Sequence, residues 1–151
     1  MKIYQYKNEQ FLPIPITKAW DFFSNPNNLL DITPPWLNFV IKSELPEKMY
    51  PGMLIQYRVY PVLGIPNNWI TEITHVNEPE FFVDEQRFGP YKFWHHQHIF
   101  IAINEGVLMK DIVSYALPLG FLGRLSNSFL VKKKISEIFV YRERILKNKF
   151  G

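Results

Sequence analysis

The chain has 151 residues, about the size of one domain, and its 47% hydrophobic and 21% charged residues are typical of a folded protein. We therefore expect a single domain over residues 1–151. The net charge of +3 is too small to predict nucleic-acid binding. The absence of cysteine excludes disulfides and thiolate metal sites. Neither a signal peptide nor a run of about 18 apolar residues is present, so we expect a cytoplasmic protein without a membrane span.

The amino-terminal part is predicted to form a strand and two short helices. Apolar and polar residues mix in an extended pattern from Ile3 to Leu12, before Pro13. Thr17 is a suitable N-cap for a helix over KAWDFFS, which Asn25-Pro26 would end. A second short helix is predicted over PNNLLDI.

From Asn38 to Tyr115 the apolar period is two, which predicts strands. Turn signals such as Pro51-Gly52 and Gly89-Pro90 separate the segments. The segments are FVIKSEL, LIQYRVYPV, WITEITHV, FFVDEQRF, YKFWHHQHIFIAI and VLMKDIVSYAL. Six successive strands with short connections predict an antiparallel meander.

The last segment returns to a helical period from Leu122 to about Lys149, which predicts a helix of roughly 40 Å. This helix must cover one face of the sheet. A seven-stranded sheet that curls around a single helix is not filled along its whole length, so a cavity is expected between them. The predicted class is α+β, with a curved antiparallel sheet wrapped around a long carboxyl-terminal helix.

The segment Trp94-His95-His96-Gln97-His98 places three histidines in one strand. Alternation puts Trp94, His96, His98 and Phe100 on one face of the sheet. A turn at Asn104-Glu105-Gly106 then predicts the pairs across to the next strand. These pairs are Phe100 with Asp111, His98 with Val113, His96 with Tyr115, and Trp94 with Leu117.

In this register a polar cluster forms from His96, His98, Asp111 and Tyr115, and three interpretations of it remain open. The side chains satisfy one another inside the fold, they orient a bound ligand, or His98 acts as a general base held by Asp111. A His-x-His pair is also a metal-ligand geometry, but Asp111 is the one further ligand in view, so no metal and no cofactor are predicted.

The faces of three charged residues before the histidine strand are left open, because the loop at Gly89-Pro90 has either an even or an odd length. These residues are Asp84, Glu85 and Arg87.

The runs FVDEQRFGPYKFWHHQHIF, DIVSYALPLGFLGRL and ISEIFVYRERIL resemble the SRPBCC superfamily over essentially the whole chain. This helix-grip group includes START domains, pollen allergens and polyketide cyclase/dehydrase-like proteins. The resemblance looks closest to a bacterial branch sometimes labelled cell division inhibitor. It implies the helix-grip fold and a cavity for lipids, sterols, hormones or polyketides, and it leaves catalysis open because some relatives are cyclases and many only bind.

We therefore expect binding of a small, largely apolar molecule that is lipid-, polyketide- or aromatic-like. The expected wall residues are Trp36, Tyr57, Trp69, Trp94 and Phe100, and the expected orienting residues are His96, His98, Asp111 and Tyr115.

Two alternatives remain, and a homodimer is left open. One is a cyclase- or dehydratase-type enzyme that uses His98 and Asp111. The other is a protein-interaction module with a vestigial cavity, which a volume below about 300 Å³ would favour.

Overall fold

The computed structural model describes residues 1–60, 64–126 and 130–151. Over these residues the chain forms seven strands, three α-helices and two 3₁₀ helices. The strands are β1 (Tyr4–Leu12), β2 (Val40–Ile41), β3 (Leu54–Val59), β4 (Asn67–Asn77), β5 (Phe81–Phe88), β6 (Phe93–Ile103) and β7 (Gly106–Ala116). The helices are α1 (Ile16–Phe23), α2 (Gly120–Ser126), α3 (Lys132–Phe150) and the 3₁₀ helices Pro26–Ile32 and Pro35–Leu37.

The seven strands form one antiparallel sheet in the order β1-β7-β6-β5-β4-β3-β2. Strands β2 to β7 are therefore a meander, and the first strand pairs with the last. With the short helices after β1 and the long helix at the end, this is the helix-grip architecture. The predicted fold is confirmed.

The helices after β1 differ in detail from the prediction. Helix α1 begins directly after Pro15 without a side-chain cap, so the prediction of Thr17 as N-cap is wrong. The segment PNNLLDI forms a 3₁₀ helix, and Asn25 caps it because its Oδ1 accepts a hydrogen bond from the Asn27 N–H at 3.0 Å. The predicted strand FVIKSEL is reduced to Val40–Ile41.

The predicted helix from 122 to 149 is found as α2 and α3. Its residues 127–129, like residues 61–62 of the predicted strand LIQYRVYPV, lie outside the described residues. The 19 residues of α3 span about 28 Å. Its inward face is buried, and it comprises Ile135, Phe139, Arg142 and Leu146. None of the described helices combines the length and apolarity that crossing a bilayer requires.

The β6–β7 hairpin corrects the predicted register. Ile103 pairs with Gly106 across the two-residue turn Asn104-Glu105, which places His98 opposite Asp111. Gly106 suits the start of β7, because a Cβ there would lie 2.2 Å from the carbonyl oxygen of Leu12. The turn is centred one residue earlier than predicted, so every predicted pair is shifted by two residues. A shift of two preserves the face of each side chain.

The inner face of the sheet is packed by two different layers. Over β5 and β6, Trp20 of α1 makes edge contacts with Phe82 and Phe100 at ring-centroid distances of 6.0 Å. Near β1, Tyr6 contacts Phe139 of α3 at 5.0 Å. A separate buried group under β3 and β4 contains Met53, Ile55 and Ile73. A cavity lies between these layers.

Candidate functional site: a cavity with a buried ionic cluster

The cavity lies between the inner face of the sheet, the segment that follows α1, and α3. Its volume is about 210 Å³. Apolar and aromatic side chains form most of its wall, while charged and imidazole side chains occupy one part of it. An apolar enclosure with a few convergent polar groups is the usual form of a small-molecule site.

Four aromatic residues from β3, β4, β6 and the β5–β6 loop form one continuous wall. Trp69 is at its centre, stacked on Tyr57 at 5.7 Å and edge-on to Trp94 at 5.3 Å. Tyr91 contacts Trp69 at 5.5 Å and Trp94 at 4.8 Å. Such ring pairs hold one another in fixed orientations, so this wall has a defined shape.

Two polar atoms of the aromatic wall differ in how they are satisfied. The Tyr57 hydroxyl forms a 2.9 Å hydrogen bond with Thr71 Oγ1. The indole Nε1 of Trp69 is buried and has no hydrogen-bond partner among the described residues. A buried donor without an acceptor is costly, and a ligand oxygen or a water is the ordinary way to satisfy it.

The ionic cluster consists of five side chains, two from β6 and one from each of three neighbouring elements. Asp84 comes from β5, His96 and His98 from β6, Asp111 from β7 and Arg142 from α3. Asp84 lies opposite His96, and Asp111 lies opposite His98. Because adjacent strands align these positions on the same face, the side chains converge without any loop.

Each histidine lies between the same two carboxylates. His96 Nε2 is 2.8 Å from Asp111 Oδ1, and His96 Nδ1 is 3.5 Å from Asp84 Oδ2. His98 Nε2 is 2.6 Å from Asp84 Oδ2. His98 Nδ1 is 3.3 Å from Asp111 Oδ1 but is not oriented for a hydrogen bond, so this contact is electrostatic. The guanidinium of Arg142 donates to Asp111 Oδ1 at 3.2 Å.

Stacking fixes the two imidazole rings. The ring centroids of His96 and His98 are 3.7 Å apart, and Phe82 stacks on the other side of His98 at 4.1 Å. His96 also touches Phe139 of α3 edge-on at 5.8 Å. The rings are therefore held by packing as well as by hydrogen bonds.

The surroundings shift the pKa values of the two histidines in opposite directions. Burial and the neighbouring charge of His98 lower the pKa of His96, and the two carboxylates do not compensate. Burial also acts to lower the pKa of His98, but the contacts with Asp111 and Asp84 outweigh it, so this pKa is raised. One imidazole is therefore neutral under conditions in which the other is charged.

Both carboxyl groups remain ionised despite burial. Burial acts to raise the pKa of Asp84, but the adjacent His96 and His98 hold it below its usual value. Burial acts in the same sense on Asp111, but Arg142 and the two histidines hold its pKa well below the usual range. With one imidazolium, the two carboxylates and Arg142 sum to zero charge. The cluster can thus hold a proton at the cavity wall.

Five of the nine predicted site residues lie on the cavity wall, and their contact with a ligand stays a prediction. They are Tyr57, Trp69, Trp94, His96 and His98. The inward orientation of His96, His98 and Phe100 is confirmed by their burial.

The other four predicted residues lie elsewhere. Trp36 is 40% exposed, and the Lys134 ammonium lies 4.6 Å from the centre of its ring. Phe100 packs in the core against Trp20, and Tyr115 stacks on Tyr4. Asp111 is only 2% exposed and lies behind the histidines.

The short hydrogen bond of His98 goes to Asp84, at 2.6 Å. The predicted contact between His98 and Asp111 is present at 3.3 Å, and Asp111 as the orienting carboxylate of His98 stays a prediction.

Three residues of the ionic cluster and the aromatic wall were missed or left open in the sequence. Asp84 could not be assigned to a face without the register of β5. Arg142 could have been found, because it follows Ile135 and Phe139 at helical spacing on the inward stripe of α3. Tyr91 lies in a loop, where periodicity gives no orientation. Glu85 and Arg87, whose faces were also left open, do not line the cavity. Arg87 pairs with Glu72 and Glu85.

The fold and its cavity define a helix-grip protein. No family model and no curated protein matches the chain. Solved structures match over almost the whole length. A protein from Thermus thermophilus is 18% identical with a TM-score of 0.66, and 98% of this chain and 100% of that chain are covered.

Two further solved structures also match over almost the whole chain. Major latex-like protein 151 of Panax ginseng is 12% identical with a TM-score of 0.71, covering 99% of this chain and 98% of that one. Ara h 8.0201 is 16% identical with a TM-score of 0.64, covering 97% and 99%. At these identities the likeness shows the fold alone, and it is the fold that the SRPBCC resemblance implied.

Proposed function

We propose that this protein binds one small, largely aromatic molecule in the cavity between the sheet and α3. The observation that carries the proposal is the cavity itself, whose aromatic wall of Tyr57, Trp69, Tyr91 and Trp94 meets a cluster of charged groups. Burial of the ligand's apolar area provides the affinity. The charged groups and the Trp69 indole fix its orientation.

The volume limits the size of the ligand. Sites for drug-sized molecules measure about 300–1,000 Å³, whereas an engineered apolar cavity of about 150 Å³ holds benzene. A cavity of about 210 Å³ therefore suits one or two fused rings. It is too small for a sterol or a long acyl chain, so the aromatic-like ligand is favoured among the three predicted classes.

The polar atoms on the wall favour a ligand that carries a hydroxyl or a carbonyl group. Trp69 Nε1 is a donor without a partner among the described residues and calls for an acceptor. Asp84, His96 and His98 lie on the wall and offer both donors and acceptors. An apolar ring with one oxygen substituent satisfies the indole and keeps the remaining area apolar.

The test is a titration with naphthalene and 2-naphthol, followed by tryptophan fluorescence and by the midpoint of thermal unfolding. We expect saturable binding of both probes, with tighter binding of 2-naphthol because of its hydroxyl group. The matched variants are Ile55→Trp and Leu54→Trp. Ile55 is buried on the cavity wall, whereas Leu54 is 52% exposed on the other face of the same strand.

We expect Ile55→Trp to abolish binding, because the larger side chain fills the cavity, and Leu54→Trp to leave it unchanged. Circular dichroism establishes that both variants are folded. The proposal fails when neither probe binds the unmodified chain, or when both variants bind equally well.

The volume also favours a second candidate, an interaction module whose cavity is vestigial, because about 210 Å³ lies below the limit of about 300 Å³ set for it. The same titration separates the two candidates. A vestigial cavity binds neither probe.

A further inference from the structure

We propose that Asp84, His96 and His98 form a binding site for one divalent transition-metal ion, open towards the cavity. One ligand atom from each of the three lies within 4.8 Å of the others. The sequence offered two histidines and no third ligand besides Asp111. The third ligand is Asp84, brought to the pair by the register of β5 with β6.

One of the donor-atom distances matches the spacing of a tetrahedral site, and a second is shorter. Metal–ligand bonds of about 2.1 Å at the tetrahedral angle put neighbouring donor atoms about 3.4 Å apart. His96 Nδ1 and Asp84 Oδ2 are 3.5 Å apart. The 2.6 Å contact between His98 Nε2 and Asp84 Oδ2 is a hydrogen bond that has to open by less than about 1 Å.

The outer nitrogen of the His96 ring is arranged as a metal-bound histidine requires. A ligating imidazole typically donates its other N–H to a carboxylate, which fixes the ring and its tautomer. His96 Nε2 donates to Asp111 at 2.8 Å, so Nδ1 carries the lone pair that faces Asp84. His98 Nδ1 lies 3.3 Å from the same Asp111 oxygen. Asp111 is thus the outer carboxylate of His96, and its contact with His98 is electrostatic.

The lone pair of His96 Nδ1 faces a carboxylate oxygen. Two acceptors 3.5 Å apart repel unless a proton or a metal cation lies between them. A bound metal ion supplies that cation without protonation of the ring.

Charge and access favour an ion with open coordination positions. Arg142 neutralises Asp111 at 3.2 Å, so Asp84 is the one negative charge left to the metal when both imidazoles are neutral. The complex then carries one positive charge and accepts an anionic or polarised oxygen as a further ligand. All three ligands lie on the cavity wall, so that oxygen enters from the cavity.

Two imidazoles and one carboxylate select the class of ion. This donor set suits Zn²⁺, Co²⁺ or Fe²⁺, whereas Mg²⁺ and Ca²⁺ prefer oxygen ligands. The proposal goes beyond ligand binding, because it assigns a Lewis acid to the polar end of the cavity.

The test is calorimetric titration of the untagged, EDTA-treated chain with ZnCl₂, with MgCl₂ as a second titrant. We expect one Zn²⁺ per chain and no binding of Mg²⁺. His98→Gln and Asp84→Asn remove measurable Zn²⁺ binding. Asp111→Asn keeps the stoichiometry and weakens the affinity roughly 10- to 100-fold, because it acts through the histidines.

The matched control is His95→Gln. His95 is on the same strand as the proposed ligands but on the opposite face, where Nδ1 contacts Glu85 at 2.7 Å. We expect its Zn²⁺ affinity to be unchanged. The visible spectrum of the unmodified chain with Co²⁺ provides a readout that does not depend on the folding of a variant, since imidazole ligation in a four-coordinate site gives strong bands and a hydrated ion gives weak ones.

The proposal is overturned when the unmodified chain binds no Zn²⁺ at micromolar concentrations, when Co²⁺ gives the weak spectrum, or when His95→Gln removes binding while His98→Gln retains it. The proposed aromatic ligand is tested separately on EDTA-treated protein. A failure of metal binding is therefore distinguishable from a failure of aromatic-ligand binding.

Discussion

The two faces of the sheet carry the same kinds of residue in very different environments. On the inner face, His96 and His98 are buried with two carboxylates and an arginine. On the outer face, His95 pairs with Glu85, and Arg87 pairs with Glu72 and Glu85.

The side chains of the outer pairs are between 25% and 52% exposed. Ion pairs at such exposure contribute little, because water screens them. The buried groups cannot exchange their partners for water. The comparison shows that strand alternation, more than residue type, decides which histidines are buried beside the cavity, where they can bind a ligand or hold a proton.

The largest expected difference between the faces comes from core packing. Phe100→Ala on the inner face should lower the free energy of unfolding by about 4 kcal/mol, because the rings of Trp20, Phe23 and Phe82 that surround it cannot collapse into the space. Ile101→Ala, one residue further on and facing outward, should cost less than about 1 kcal/mol. Urea unfolding measures both. Equal losses would mean that the two faces are packed alike.

The next difference comes from the buried ions. Asp111→Asn should cost about 3 kcal/mol in metal-free buffer, because Arg142 loses its charged partner in a buried site. The double variant with Arg142→Gln should lose less than the sum of the two single losses, because the uncompensated charge is removed. Urea unfolding of the four proteins forms the cycle. Additive losses would show that the two side chains do not interact.

Alkaline pH should weaken the fold through its buried tyrosines. Burial raises the pKa of Tyr57 and Tyr91, and it raises the pKa of Tyr115 to about 12. The unfolded chain loses these protons near pH 10, whereas the folded chain retains them, so stability is complete below pH 10 and falls as pH rises towards the folded pKa values.

Each of these tyrosines contributes a slope of about 1.4 kcal/mol per pH unit in that window. Tyr57→Phe should therefore flatten the fall between pH 10 and 11 by about that amount. Urea unfolding at a series of pH values gives the slope. An unchanged slope would show that Tyr57 does not retain its proton in the folded chain.

The smallest effect is expected on the outer face. Glu85→Gln removes the partner of His95 and one of the two partners of Arg87. It should nevertheless change the free energy of unfolding by less than about 1 kcal/mol, and 1 M salt should reduce the difference further. Urea unfolding with and without salt measures it. A loss as large as that of Asp111→Asn would remove the distinction between the faces.

The proposals depend on the same distinction. Leu54 and Ile55, like His95 and His98, are pairs of similar residues on opposite faces of one strand. The binding of a ligand or a metal ion at the inner face should change when the inward-facing member of each pair is substituted, and it should not change when the outward-facing member is substituted.

Several features followed from the sequence alone. The change from a period of two to a helical period predicted the meander and the final helix, because these periods reflect which side chains can be buried. Alternation placed His96, His98 and Phe100 on the inner face. Turn residues marked the connections between strands, although the exact centre of the β6–β7 turn was misplaced.

The tertiary structure decided which residues meet. A register shift of two residues moved Asp111 from Phe100 to His98, and no local signal separates the two registers because both keep the same faces buried. The face of Asp84 depended on pairing across an irregular loop, and Arg142 arrives from a helix far away in sequence. Hydrogen bonds and cavity walls form between distant segments, so their partners are fixed by packing and not by spacing along the chain.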